Sequence, residues 1–505
     1  MKGAAAIILY FAVIKLLLHL IFNSGYGYFR DEFYYMACGE NLDFGYVDHP
    51  PLIALIARFS TLLLGESVYA IRIFPAVAGA VTVFLTGLIT RELGGGKFAL
   101  VIAGVASLFS PVLIIQSGYL SMNALDITFW TAALYVLVLI IKYDKEKLWI
   151  NFGIIAGIGL QNKISILFLG LGLGIGMLLT PYRKYFTSKY FWMGTCIAVL
   201  IFLPHIIWQI SHGWPTLEFI ANASAYKIKH TSPVEFILNH FLELHPVSVI
   251  LLFTGLVYFI IIEKSGRYKI LPIIYLSVLV FFLFQNTKPY YMSVLIPLMI
   301  ALGAAAVDIL SGDRLRTWMK TAIVVFFLPG YFWSVPLVLP VLSIDDYISY
   351  ADYFGMKPSS GENHEMGLLP QHYADRFGWN EIVYAVKEAY DGLSEEEKHK
   401  ALVFGQNYGE AGAVNLLGRK YGLPYAISSH NSYWLWGYPE DFTGDVLIVI
   451  GSNMKDNSEF FESVEQVSTA SNKYAMPYEN NLPVFVCRNL KVSPEDLWQR
   501  IKNFN

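Results

Sequence analysis

Apolar stretches of about twenty residues recur along the first two thirds of the chain, separated by short polar and often basic segments. A membrane span needs about 20 mostly apolar residues. The pattern predicts spans at 4–22, 68–90, 98–116, 122–141, 191–210, 246–262, 269–286, 290–308 and 320–341. The apolar run 151–180 is long for one crossing and short for two. Five basic clusters resolve it: Arg91 and Lys97; Lys142, Lys145 and Lys147; Arg183, Lys184 and Lys189; Lys264, Arg267 and Lys269; Arg314, Arg316 and Lys320. All five face the cytoplasm, as positive charge between spans prefers, only if 151–180 crosses twice. Its turn then falls at Gln161 to Ser165. Eleven spans follow, with the N-terminus inside and the first loop, 23–67, outside. Where the backbone breaks at that turn, it must face protein or water rather than lipid.

Beyond residue 342 the pattern changes. Residues 343–400 are polar and include a solvated helix end, SEEEKHK. Strands are expected at ALVFGQN (401–407), DVLIVIGS (445–452) and LPVFVCRN (482–489). A helix is expected over YGEAGAVNLLGRKYGLP, ending near Gly422 and Pro424. Alternating strands and helices indicate a small α/β domain. The fold class is therefore mostly α: a polytopic membrane domain, 1–341, followed by an extracytoplasmic α/β domain, 342–505. The aromatic, turn-rich SSHNSYWLWGYP (428–439) suits a sugar or the membrane interface. A domain packed on the outer face for stability explains it equally well.

Composition sharpens the class. Of 505 residues, 55% are hydrophobic, 16% aromatic and only 15% charged, against roughly 25% charged in a soluble domain. Lipid is the main solvent. A net charge of −3 argues against a nucleic-acid surface. The three cysteines, Cys38, Cys196 and Cys487, form no disulfide framework. Free thiols are expected, with a Cys38–Cys487 bond as the alternative. Lys15 and His19 interrupt the first apolar stretch and no small-residue cleavage site follows, so it is read as a span rather than a signal peptide.

With this topology, the polar residues inside and beside the spans gather on the outer side. The first outer loop carries Arg30-Asp31-Glu32 among aromatic residues. A carboxylate there can take a proton from a hydroxyl; the plainer reading is a helix cap with Arg30 as counter-ion. In VDHPPL (47–52) two prolines restrict the backbone and hold His49 extended. The plainer reading is a rigid turn into an amphipathic helix, 52–64, which carries Arg58. Asp126 lies inside an apolar span, where an isolated charge costs about 2.5–3.5 kcal/mol; a helix–helix hydrogen bond is the plainer reading. Lys163 and Lys288 are outer-side cations that together suit a phosphate, although each alone would snorkel to the head groups. His205, Gln209, His212 and Trp214 suit sugar hydroxyls or a satisfied polar cluster. His240, Glu243 and His245 lack a recognised zinc spacing, and no metal is expected. No glycine-rich loop stands where a nucleotide needs one.

These residues in this order resemble the GT-C glycosyltransferases. They are similar to family 39, which includes the dolichyl-phosphate-mannose protein mannosyltransferases and the lipid A aminoarabinose transferases. The likeness rests on the acidic pair after the first span, the basic residue before Pro-Pro-Leu, and the aspartate of the fourth span. LPHIIWQISHGWPTLEF, TKPYY, LPQHYADRFGW and NYGEAGA add to it and suggest a prokaryotic branch. The resemblance implies the GT-C fold and a donor sugar carried on a polyprenyl phosphate. It implies transfer with inversion on the extracytoplasmic side, to a glycolipid, cell-wall or protein hydroxyl, without a cofactor. By motif, Asp31 matches the catalytic aspartate and Glu32 its companion. Asp126 matches the second acid. Lys163 matches a lysine that an aromatic usually follows, here Ile164. His49 stands where the aminoarabinose transferases have lysine.

Sugar transfer from a phosphate ester builds negative charge on the departing phosphate, and without metal a cation must meet it. Lys163 is the first candidate, followed by Lys288, Arg58 and His49; Tyr290 and His205 complete the expected binding set. These groups are expected to converge in one outer-leaflet pocket. A transporter or lipid flippase is the rival class. An oligosaccharyltransferase using metal and a pyrophosphate donor is the rival within GT-C.

Overall fold

Apolar residues dominate every face of several helices, and such helices bury against each other or against lipid. The computed structural model describes residues 2–285 and 287–505; Asn286, first residue of the NTKPYY segment, lies outside the described residues. Among these, five helices are long and apolar enough to cross a bilayer: Gly3–Phe22, Val68–Glu92, Met122–Tyr143, Lys189–Ser211 and Pro289–Ser311. Two bent helix pairs raise the number to seven if each is one span. The chain is a multi-pass membrane protein.

The other apolar stretches are interrupted, each at an identifiable place. Stretch 98–116 divides into Lys97–Phe109 and Pro111–Gln116 around an extended Ser110. The proline has no N–H to continue the ladder. Run 151–180 divides into Leu148–Asn162 and Ile166–Leu178, with Lys163 extended between them. Stretch 246–262 follows helix Pro233–Leu244 at a 98° bend. Helix Leu52–Leu64 buries Ile53, Ala54, Ala57 and Ser60 and exposes Leu55, Phe59, Leu62 and Leu63, the amphipathic pattern expected there.

The residues group into two compact units. Unit 1 holds the segment ending at Gly25, His49–Ile210 and Lys229–Tyr347; unit 2 holds Tyr26–Asp48, Ser211–Ile228 and Ile348–Asn505. A boundary near 342 was expected, with loop 23–67 in the membrane domain; the grouping instead assigns Tyr26–Asp48 and Ser211–Ile228 to the C-terminal unit.

In unit 1, helix Ile296–Ser311 is buried at every position from Ile296 to Ala306. Helices Ile73–Glu92, Lys97–Phe109 and Val249–Val257 pack around it. Helix Met122–Tyr143 packs on Ile73–Glu92 and on Leu148–Asn162. Lipid supplies little hydrophobic drive between spans, so close backbone approach matters. Added Cβ atoms show where it occurs: at Gly153 one would strike the backbone of Gly194, and at Gly194 that of Trp149. Gly255 and Gly303 bring Val249–Val257 against Ile296–Ser311 in the same way. The span residue Lys15 is buried and donates to the Leu113 carbonyl at 3.0 Å.

Unit 2 contains a five-stranded sheet: β1 (Ala401–Gly405), β2 (Ala426–Ser428), β3 (Val446–Ile450), β4 (Phe461–Ala470) and β5 (Leu482–Leu490). The spatial order is β2-β1-β3-β5-β4. The first three strands run parallel, and β5 is antiparallel to both β3 and β4. Every residue of β3 is buried, as expected of a parallel strand covered on both faces. Helices Trp379–Asp391 and Tyr408–Leu417 cover one face. The other carries Phe404, Ile427, Leu447, Val449, Phe485 and Trp498. All three cysteines are free.

Gly194→Val should lower stability by about 1–3 kcal/mol through overpacking, because backbone occupies the space the side chain needs. Gly170, around which an added Cβ meets nothing within 4 Å, is the control. Thermal unfolding in detergent should show a lower Tm for Gly194→Val and little change for Gly170→Val.

Candidate functional site

An acid inside an apolar span must find partners or lose its charge. In unit 1 Asp126 is 2% exposed, and both its carboxylate oxygens accept from the Ser165 hydroxyl, at 2.6 and 2.7 Å. The Trp130 indole N–H donates to the same Ser165 oxygen at 3.2 Å. Asp126 thus ties helix Met122–Tyr143 to the break at 163–165. At that break Lys163 Nζ lies 4.0 Å from Asp126 Oδ2. It donates to Asn123 Oδ1 at 2.8 Å. The ammonium also lies 4.9 Å from the Tyr291 ring centroid and 5.7 Å from that of Tyr290. Its close partners are therefore one carboxylate at ion-pair distance, an amide oxygen and two aromatic faces. A cation held this way retains attraction for an oxyanion.

Of the residues expected to bind substrate in unit 1, the structure thus brings Asp126, Lys163 and Tyr290 together. Among the described residues, Arg58, Lys288, His49 and His205 are not partners of Lys163. His49 is buried, and its Nδ1–H donates to the Pro50 carbonyl at 2.8 Å. Arg58 is half-buried on the amphipathic helix Leu52–Leu64. Lys288 precedes the 3₁₀ turn Pro289–Leu295, where its carbonyl accepts from the Tyr291 N–H. His205 is buried on helix Lys189–Ser211, 3.5 Å from Gln209 Nε2 and parallel to the Trp208 ring.

Unit 2 holds the acidic pair, on helix Arg30–Glu40. Glu32 is fully buried and one of its oxygens accepts the Phe29 N–H at 2.8 Å. An acid in the first turn that bonds back to the backbone fixes where a helix begins. Asp31 faces outward, 29% exposed. Its Oδ1 accepts from the Tyr408 hydroxyl at 2.8 Å and lies 3.7 Å from Arg30 Nε. Among the described residues no hydrogen bond reaches its Oδ2, so one oxygen is open to a proton.

Arg30 organises the surroundings. Its guanidinium bonds to the Tyr478 hydroxyl and lies 4.0 Å from both Glu362 and Asp375. It also lies 5.7 Å from the ring centroids of Tyr408 and Tyr478. Tyr408 is stacked between Tyr34 and His430, each 4.6 Å away centroid to centroid. Burial, then the Asp31 charge, push its hydroxyl well above the usual range. It stays a donor to Asp31.

Two further buried acids stand beside this set. Asn407 Nδ2 donates to Glu410 Oε1 at 2.9 Å and to Glu479 Oε1 at 2.8 Å. Burial pushes Glu479 up to about 7, with Arg30 opposing. Burial and then Glu479 push Glu410 well above the usual range. Asp375 rises to about 6 through burial, again against Arg30. Among the described residues no group of three or more His, Cys, Asp or Glu is arranged to hold a metal ion.

Sequence reading missed Asn123, Ser165 and Tyr291 around Lys163, and Tyr408, Asp375, Glu410 and Glu479 in unit 2. The one available signal was acids set among small and aromatic residues, in HYADRFGW and NYGEAGA.

The raised acids set the pH response of unit 2. Folded Glu479 and Asp375 hold protons more tightly than in the unfolded chain, so their burial costs least below about pH 4. Stability should fall as pH rises from about 4 through 6 and 7, where each buried acid must give up its proton. Thermal unfolding across pH 4–8 should show this fall, flattened in Glu479→Gln.

Residues 48–208 match the model of the family described as dolichyl-phosphate-mannose-protein mannosyltransferase. The chain is 25% identical over 225 residues to lipid A galacturonosyltransferase RgtD of Rhizobium johnstonii, covering 44% of this chain and 47% of that protein. It is 31% identical over 99 residues to polyprenol-phosphate-mannose–protein mannosyltransferase of Corynebacterium glutamicum, covering 20% and 19%. The chain thus spans about half or less of the curated relatives it matches. The crystal structure of ArnT from Cupriavidus metallidurans in the apo state superposes with a TM-score of 0.62 at 13% identity, over 96% of this chain and 98% of that one. The same protein bound to undecaprenyl phosphate gives 0.60 at 13%, over 94% and 97%. At that identity the likeness is one of fold. In sequence over residues 48–208 and in fold over 96% of its length, the chain is similar to the GT-C proteins of family 39, the family its motifs resemble.

Proposed function

We propose that this chain is an inverting membrane glycosyltransferase. It moves a sugar from a polyprenyl-phosphate donor to an acceptor hydroxyl on the extracytoplasmic side. The observation that carries the reading is Asp31: a partly exposed carboxylate with one oxygen held by Tyr408 and the other open. The relatives support the donor class, since one is a polyprenol-phosphate-mannose transferase and one fold neighbour was solved with undecaprenyl phosphate.

In this reading Asp31 takes the proton of the acceptor hydroxyl as that oxygen attacks the anomeric carbon. Glu32 and Tyr408 hold Asp31 in place. Lys163 meets the charge that develops on the departing phosphate, with Asp126 and Ser165 fixing the turn that carries it. His49, Arg58, Lys288, His205 and Tyr290 are secondary donor-binding candidates. Single displacement needs one base and inverts the anomeric centre. Eleven crossings, with the N-terminus cytoplasmic and the C-terminal segment outside, fit the basic clusters. The mechanism requires no metal.

Proteoliposomes carrying a polyprenyl-phosphate sugar test this. Asp31→Asn should reduce transfer about 10²–10⁴-fold, and Lys163→Gln about 10²-fold, with unchanged gel-filtration profile and Tm. Full activity should persist in EDTA. Undiminished turnover by Asp31→Asn removes the base, and lipid movement without sugar transfer would favour a flippase.

A further inference from the structure

We propose that unit 2 carries a second carbohydrate site, for one neutral sugar ring, in a cavity at the carboxyl ends of β1 and β3. The site is separate from Asp31 and does not depend on the transferase reading. In open α/β sheets, ligands settle where successive connections leave in opposite directions. Here β1 connects through helix Tyr408–Leu417 to β2 on one side, while β3 lies on its other side. The cavity of about 110 Å³ opens beside these strand ends. A single water needs roughly 10–15 Å³ on that measure, so the space suits a six-membered ring with substituents.

The lining has two chemistries. One part is aromatic and aliphatic, with Phe404, Phe442, Phe461 and Trp498. The Trp498 indole N–H already donates to the Trp434 carbonyl at 3.0 Å, so only its ring is available. Polar side chains Gln406, Ser452, Asp456 and Asn457 complete the lining. Asn457 is 7% exposed and its Nδ2 has no hydrogen-bond partner among the described residues. A buried donor left unmade costs free energy, and a ligand oxygen would satisfy it. Gln406 Nε2 donates to the Ile450 carbonyl at 3.2 Å, and Asp456 Oδ2 accepts from Asn453 at 2.8 Å. Each keeps another oxygen among the described residues as an acceptor for hydroxyls.

Donors and acceptors beside aromatic rings match a sugar, whose C–H face is apolar and whose rim is polar. A hydrocarbon would leave Asn457 unpaired. An anionic ligand would meet Asp456, the one charged lining residue, and no cation.

Saturation-transfer NMR on the full-length protein in detergent, with methyl α-mannopyranoside and methyl α-glucopyranoside as probes, tests the site. Saturation of ring protons is expected in the wild type and in Asp31→Asn. Asn457→Leu should raise Kd about tenfold, the loss of one buried hydrogen bond, at unchanged Tm. Should that variant fail to fold, Asp456→Asn, at an exposed position, should weaken binding several-fold. No saturation with either glycoside overturns the proposal. So does binding unchanged in the folded variants, or binding of phenol without either glycoside.

Discussion

A charged or hydrogen-bonding group removed from water must take its partners with it, because an unmatched one costs several kcal/mol. That constraint shapes both units. In unit 1 the backbone breaks at 163–165 inside an apolar run. The break is tolerable because its groups are answered: Asp126 takes the Ser165 hydroxyl and Lys163 takes Asn123 and two tyrosine faces. Lys15 solves the same problem by reaching the Leu113 carbonyl. In unit 2 one guanidinium, Arg30, answers two buried acids and two aromatic rings.

The same satisfaction leaves selected groups with unused capacity. Lys163 has one carboxylate at the 4.0 Å limit of an ion pair, and its nearer hydrogen-bond partner is the neutral Asn123 amide. Asp31 is held at one oxygen and open at the other. Its neighbour Glu32 is spent on the helix start. Adjacent carboxylates thus have different work because one faces inward and one outward. The inward acids Asp375, Glu410 and Glu479 are pushed towards neutrality by burial, which leaves Arg30 as the fixed charge of the cluster.

Much of the architecture was legible along the chain. The division of 151–180 at Lys163 followed from counting basic clusters. Strands β1, β3 and β5 stood out as apolar runs because they are buried on both faces. Strand β4, FESVEQVSTA, did not: most of its side chains face solvent, and its pairing with β5 supplies what its composition lacks. The three-residue β2 is too short to show a period. The break at Ser110 and the helix Pro233–Leu244 ahead of stretch 246–262 escaped notice, since hydropathy averages over a window and does not register where the ladder stops.

The sequence by itself determined the solvent each segment would meet, the spans and strands this implies, and which ionisable residues would have to be answered. Those follow from local composition and transfer free energy. Only the tertiary structure decided who answers them: Ser165 for Asp126, Tyr408 for Asp31, Asp375 for Arg30, and Glu32 for its own helix. Partners 39 and 377 residues apart leave no trace in spacing or periodicity. They are chosen by packing, which depends on the whole chain at once.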